Sequence, residues 1–174
     1  MKLIAAADRN WAIGKDGGLL ASISEDMKFF RQMTTGHVVV MGRKTLESFP
    51  QGQPLPKRVN VVLTHKKDYK KRGTVVVHSE EELRKELSKY ESDDIFVIGG
   101  GSMYRMLLPY CDTAYITRID YSYEADTWMP NLEEDPNWHL VEEGEERACF
   151  DLIYHFTVYQ NASPRKFGEG EKDE

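Results

Sequence analysis

Two features of this chain have the types and spacing for chemistry. The first is an acid, Asp26, with Phe29, Phe30 and Met33 at i+3, i+4 and i+7. The four share one helix face. Three are apolar, so that face turns inward and takes a carboxyl with it. A carboxyl drawn out of water keeps its proton to higher pH and can hold or relay one near neutrality. The alternative is a first-turn acid that only complements the helix dipole, although Glu25 does that on another face. The second feature is backbone. Ile95–Ile98 is a short apolar run followed by Gly99, Gly100 and Gly101, after which Ser102 opens a helical pattern. Met103, Tyr104, Met106 and Leu107 form its apolar face until Pro109. Strand, glycine turn and helix start present free N–H groups to an anion, usually a nucleotide pyrophosphate. The run is neither G-x-G-x-x-G nor a P-loop, and a plain tight turn would also use glycine.

Two further stretches bear on the anion. His37–Met41 reads as a buried strand running into Gly42-Arg43-Lys44-Thr45. The cations and hydroxyl suit phosphate, and the lysine does not follow the glycine directly, as a P-loop requires. Val59–Leu63 is a third strand and ends in Thr64-His65-Lys66-Lys67. An NAD site carries an acid there for the ribose 2′-hydroxyl. A hydroxyl with cations suits a 2′-phosphate, hence NADP; a solvated basic turn is the plainer reading. The histidines at 37, 65, 78, 139 and 155 show no metal-binding spacing, and no G-x-S-x-G elbow is present. No metal site is expected.

The elements that must position these groups follow from pattern. Leu3–Ala7 reads as a first buried strand. Asp8–Leu20, with Gly14, Gly17 and Gly18, reads as a loop, either a mobile lid or a surface connection. Ser22–Thr35 is the first helix, with a Ser22/Glu25 capping box and Gly36 as its stop. Thr74–Val77 is a strand, Ser79 with Glu82 caps a helix to about Tyr90, and Ala114–Ile119 is another strand. His139–Val141 and Phe150–Tyr159 suggest a terminal antiparallel pair, and 162–174 a disordered polar tail. A length of 174 residues suits one domain. The net charge of −6 argues against nucleic acid or an anionic membrane as partner. Cys111 and Cys149 read as free thiols, and the apolar start is too short for a signal peptide, so a reducing cytoplasm is expected.

Six segments occur in one order: Ile4-Ala5-Ala6 with Ile13-Gly14; the Asp26 to Phe30 helix; Val40 to Thr45; Pro54-Leu55-Pro56-Lys57-Arg58; Ile98 to Gly101; and Ile116-Thr117-Arg118-Ile119. Over about 1–161 the chain resembles bacterial dihydrofolate reductases. The resemblance implies an α/β single domain. Its central sheet would be eight-stranded and mostly parallel, with an antiparallel C-terminal strand and about four flanking helices. It implies reduction of 7,8-dihydrofolate to tetrahydrofolate by NADPH, with hydride reaching C6 and Asp26 promoting protonation at N5.

By position, Asp26 would bind the pterin with Thr117 behind it, and Ile4, Ala5, Met27 and Phe30 would line the pocket. Phe49 and Leu55 would pack the aminobenzoyl ring, and Arg58 would pair with the glutamate α-carboxylate. Gly42, Arg43, Lys44 and Thr45, with Gly99, Gly100, Gly101, Ser102, Met103 and Tyr104, would hold the cofactor phosphates. Thr64, His65 and Arg43 would meet the 2′-phosphate, and Ala6, Ile13, Gly14, Leu19 and Ile98 the nicotinamide end. The resemblance makes antifolates expected ligands; a monomer is expected from the helix pattern. One departure stands out: Ala21 replaces the tryptophan usual in the family, which predicts a roomier pocket mouth. Two rivals remain. A riboflavin-pathway pyrimidine reductase is disfavoured by Arg58, because its substrate has no glutamate. A non-catalytic NADP-binding protein is disfavoured by Asp26.

Overall fold

The structure, a computed structural model, describes residues 1–168. In chain order the strands are β1 (Lys2–Ala7), β2 (Ala12–Lys15), β3 (Gly18–Leu19), β4 (Val38–Gly42), β5 (Val59–Leu63) and β6 (Thr74–Val77). They continue as β7 (Ile95–Gly99), β8 (Thr113–Ile119), β9 (Thr127–Trp128), β10 (Trp138–Glu143), β11 (Arg147–Cys149) and β12 (Leu152–Asn161). The helices are α1 (Ser24–Thr34), α2 (Arg43–Ser48), α3 (Glu80–Leu87) and α4 (Gly101–Leu107).

The central sheet runs β10-β12-β8-β1-β7-β4-β5-β6, with β11 added beside β12. From β8 to β6 every pairing is parallel, whereas β12 pairs antiparallel with β8, β10 and β11. That is the expected mostly parallel sheet with an antiparallel C-terminal end. The central strands are apolar on both faces because helices cover both. Leu3, Val38, Val40, Val61, Ile95 and Val97 pack on one side with Leu83, Met103 and Leu107 of α3 and α4. Ile4, Val39, Met41, Val62, Phe96 and Ile98 pack on the other with Phe29 and Phe30 of α1 and Leu46 of α2. Among the described residues no helix is long and apolar enough to cross a membrane.

Three expectations change. The capping box does not form: α1 starts at Ser24 after an extended Ile23, without a side-chain cap. The buried Ile23 side chain packs with Ile119 and Tyr154, and this burial keeps the chain extended past Ser22. Residues 8–20 are no plain loop. They hold the β2–β3 hairpin, which β9 joins in a second, three-stranded sheet. Asp16 and Gly17 at its tip have φ of 51° and 77°, the left-handed pair a two-residue turn demands. In the expected tail, Phe167 is anchored although 162–166 and 168 are exposed. Phe167 is buried against Tyr110, its carbonyl accepts from Arg84 Nη1 at 2.6 Å, and the Arg84 guanidinium lies 4.4 Å from its ring centroid. The remainder of that segment lies outside the described residues.

Candidate active site

Asp26 sits in the first turn of α1, half-buried, and faces β8. The Thr117 hydroxyl donates to its Oδ1 at 2.5 Å. Burial raises the Asp26 pKa, and the Thr117 hydrogen bond opposes that rise. Desolvation is the larger effect, so the carboxyl holds its proton to higher pH than a free aspartate does. Ile4, Phe30, Phe49, Leu55 and Ile98 belong to the apolar cluster on this face of the sheet. Ala5 and Ala6 of β1 are half-buried. Met27 is exposed, as are Leu19 and His65, so these three have open surface for a ligand. Tyr104 joins the two halves: its buried hydroxyl donates to the Ile4 carbonyl at 2.8 Å. Burial chiefly, and then the charge of Asp26, push its phenol pKa up.

Arg58 lies beside Phe30, its guanidinium 6.0 Å from that ring centroid. Nη2 donates to Thr35 Oγ1 at 3.4 Å, and buried Nε has no hydrogen-bond partner. Burial, with Arg31 nearby, lowers its pKa. Among the described residues it has no carboxylate partner, so it is a partly dehydrated cation open to an external anion. Asn60 sets its position and was not foreseen. Asn60 Nδ2 donates to the carbonyls of Leu55 at 2.9 Å and Arg58 at 3.1 Å, and Oδ1 accepts from Leu55 N at 3.0 Å. A buried polar residue in an otherwise apolar strand was the available signal.

The two glycine turns lie side by side, since β4 and β7 are parallel neighbours. Gly99 has φ +134°, and a Cβ there would stand 3.4 Å from Thr45 Oγ1. A Cβ on Gly101 would meet the Trp128 carbonyl at 2.6 Å, and one on Gly42 would meet Met103 Cγ at 3.6 Å. The Gly99–Gly100 peptide is cis. Thr45, Gly100 and Ser102 border this cradle, and neither Lys44 nor Ser102 spends its side chain on a hydrogen bond among the described residues. These residues fit a pyrophosphate. Arg43 is less free than expected, because its Nη1 donates to both carboxylate oxygens of Glu47 at 2.8 Å. Thr64 is buried at the end of β5, where Oγ1 accepts from Lys66 N at 3.2 Å and His78 Nδ1 lies 3.0 Å from the Thr64 carbonyl.

The β2–β3 hairpin carries Ile13, Gly14 and Leu19. It is held by Asp126, whose Oδ2 accepts from Asp16 N at 2.9 Å and whose N donates to the Gly14 carbonyl at 3.1 Å. Ala21 is half-buried against the cluster of Ile23, Ile119 and Tyr154. Trp11 stays away from it, buried edge-on to Tyr159 at 5.8 Å and under the Arg118 guanidinium at 3.9 Å.

A half-dry acid and a pair of glycine turns able to take a phosphate suit the class of enzyme that works on a polar ring with a nucleotide. Comparison with known proteins narrows that class. A family model described as "Dihydrofolate reductase" matches residues 1–161. The dihydrofolate reductase of Bacillus subtilis (strain 168) is 38% identical over 170 residues, covering 97% of this chain and 98% of its own. That of Mycobacterium leprae (strain TN) is 41% identical over 165 residues, covering 92% and 97%. A solved structure, dihydrofolate reductase from Enterococcus faecalis complexed with NADP(H) and RAB-propyl, superposes with a TM-score of 0.81. It is 33% identical, and the match covers 92% of this chain and 95% of that one. The chain belongs to the dihydrofolate reductase family, and it is an enzyme.

Proposed function

We propose that Asp26 is the residue on which this enzyme's chemistry turns. The reaction is reduction of 7,8-dihydrofolate to 5,6,7,8-tetrahydrofolate. NADPH, when bound, supplies the hydride that C6 of the substrate takes up. The chain's own residues have four tasks: to bind, to orient, to exclude water and to favour protonation. The Asp26 carboxyl binds the 2-amino group and adjacent ring nitrogen of the pterin, and Thr117 fixes its orientation. By holding its proton to higher pH than a free aspartate does, it favours protonation of N5, with water delivering the proton. Ile4, Ala5, Met27 and Phe30 wall the pterin, Phe49 and Leu55 the aminobenzoyl ring, and Arg58 takes the α-carboxylate. Gly42, Lys44, Thr45 and Gly99 to Tyr104 hold the cofactor phosphates. Thr64, His65 and the free nitrogens of Arg43 meet the 2′-phosphate. Ala6, Ile13, Gly14, Leu19 and Ile98 border the nicotinamide. Antifolates that mimic the pterin take the same pocket.

The observation that carries this reading is the half-buried carboxyl with a raised pKa, held by one hydroxyl. The two free cysteines suit the cytoplasm. The test follows NADPH oxidation with and without dihydrofolate. Asp26→Asn should lower kcat on the order of 10²–10⁴-fold at neutral pH, with partial recovery in acid. In the wild type the rate should fall as pH rises through the folded pKa of Asp26. Unchanged turnover in the variant would remove Asp26 from the mechanism.

A further inference from the structure

Phe150 and Asp151 form the two-residue turn between β11 and β12, since Cys149 is in register with Leu152. Phe150 has φ 54°, a left-handed conformation that such turns usually give to Asn or Gly. Its side chain is 100% exposed. Single exposed apolar residues are common on protein surfaces, and the surroundings set this one apart. Phe150 lines a surface cavity of about 510 Å³, together with the loop that follows β8. Tyr121 and Tyr123 of that loop line it too, their ring centroids 4.6 Å apart and their planes inclined at 56°. Backbone contacts fix the loop: the Tyr121 carbonyl accepts from Arg9 N at 3.0 Å, and Tyr123 N donates to Asp8 Oδ2 at 2.9 Å. The charged residues lining the cavity are Glu124 and Asp151, both acids. Lys15 Nζ lies 2.8 Å from Glu124 Oε1, so this rim already draws an ammonium. Asp151 is exposed and makes no ion pair among the described residues.

We propose that this cavity binds a small alkylated ammonium ion, with Tyr121, Tyr123 and Phe150 as its walls and Asp151 as counter-ion. The face of an aromatic ring is negative and attracts a cation, and a carboxylate adds to that attraction. An apolar ligand would use the rings and leave the acids idle. A hydrated metal ion would use the acids and leave the rings idle. An alkylated ammonium uses both, because its alkyl groups pack on the rings while its charge faces the carboxylate. Each exposed contact of this kind is weak, so the dissociation constant is on the order of 1 mM. The site shares no residue with the one around Asp26, and it stands independently of the mechanism proposed there.

The test is an NMR titration with choline, read from its N-methyl signal and from the aromatic ring signals of the protein. The control is 3,3-dimethyl-1-butanol, which has the shape of choline without its charge. Choline should saturate the site, and the alcohol should bind about tenfold more weakly or less. Phe150→Ala should weaken choline binding about two- to fivefold. Phe150→Trp should tighten it by a similar factor, because indole is the best of the rings for a cation. Phe150 is fully exposed, so dihydrofolate reduction by both variants should match the wild type and show that they are folded. Equal affinity for choline and the alcohol would make the cavity a plain apolar patch and overturn the proposal. So would the lack of a saturable shift in the wild type, or a choline affinity that neither Phe150 variant changes.

Discussion

The proposed substrate half and the proposed cofactor half of the site are made of different material. Around Asp26 the work is done by side chains: one carboxyl, one hydroxyl, one guanidinium and an apolar wall. Around Gly99 to Gly101 it is done by backbone, and side chains matter by being absent. A side-chain site is tuned by burial, because desolvation decides whether its carboxyl is charged. A backbone site is tuned by close approach, because a single methyl group would occupy the room that a peptide or phosphate needs. Substitutions on the first half should therefore change pH dependence and substrate affinity. Substitutions on the second should change packing and cofactor affinity together.

The hardest blow to that contrast is Gly101→Ala. A Cβ 2.6 Å from the Trp128 carbonyl cannot be accommodated without moving backbone. Overpacking of this kind costs about 3 kcal/mol, so denaturant melts should show a clear loss of stability. NADPH titration should show weaker binding, while any remaining turnover keeps the wild-type pH profile. Arg58→Gln is next. Loss of a charge-assisted contact is worth about 1.5–3 kcal/mol. Steady-state assays should thus show KM for dihydrofolate rising roughly 10–100-fold, with kcat and NADPH affinity close to wild type. A fall in kcat alone would mean that Arg58 acts on the chemistry and not on binding.

Thr117→Val sharpens the substrate half alone. The Thr117 hydrogen bond lowers the Asp26 pKa. Removing it should shift the alkaline limb of the kcat profile to higher pH, with a loss of about 1 kcal/mol in stability. The smallest effect is on folding. Because the Asp26 pKa is raised in the folded state, its contribution to stability is present below the unfolded pKa and lost as pH rises through the folded one. Asp26→Asn should lack that dependence, and at alkaline pH it should be about 1 kcal/mol more stable than wild type. Thermal melts at several pH values would show it.

Much of the fold was legible in local pattern. The Val38–Gly42, Val59–Leu63 and Ile95–Gly99 strands are continuous β-branched runs that suit a doubly covered sheet. Asp26 was legible because helical spacing put it among Phe29, Phe30 and Met33. The β2–β3 hairpin was missed although Asp16-Gly17 is a strong turn signal. Its strands are too short to alternate visibly, and β9, its partner, lies more than 100 residues on. The Ser22–Glu25 box misled because Ile23 gains more from burial beside Ile119 and Tyr154 than the helix gains from a cap. The expectation for Arg43 missed Glu47 four residues along, which claims its guanidinium.

The sequence by itself determined which groups exist: an acid on an apolar face, glycines after buried strands, and an arginine in a proline-rich loop. These are local facts, set by periodicity and by the conformations each residue type allows. Only the tertiary structure decided what they face. Thr117 meets Asp26 across 91 residues, Tyr104 meets Ile4 across 100, and Gly101 closes on Trp128. Such contacts depend on strand order and register, which follow from packing summed over the whole sheet and are written in no single segment.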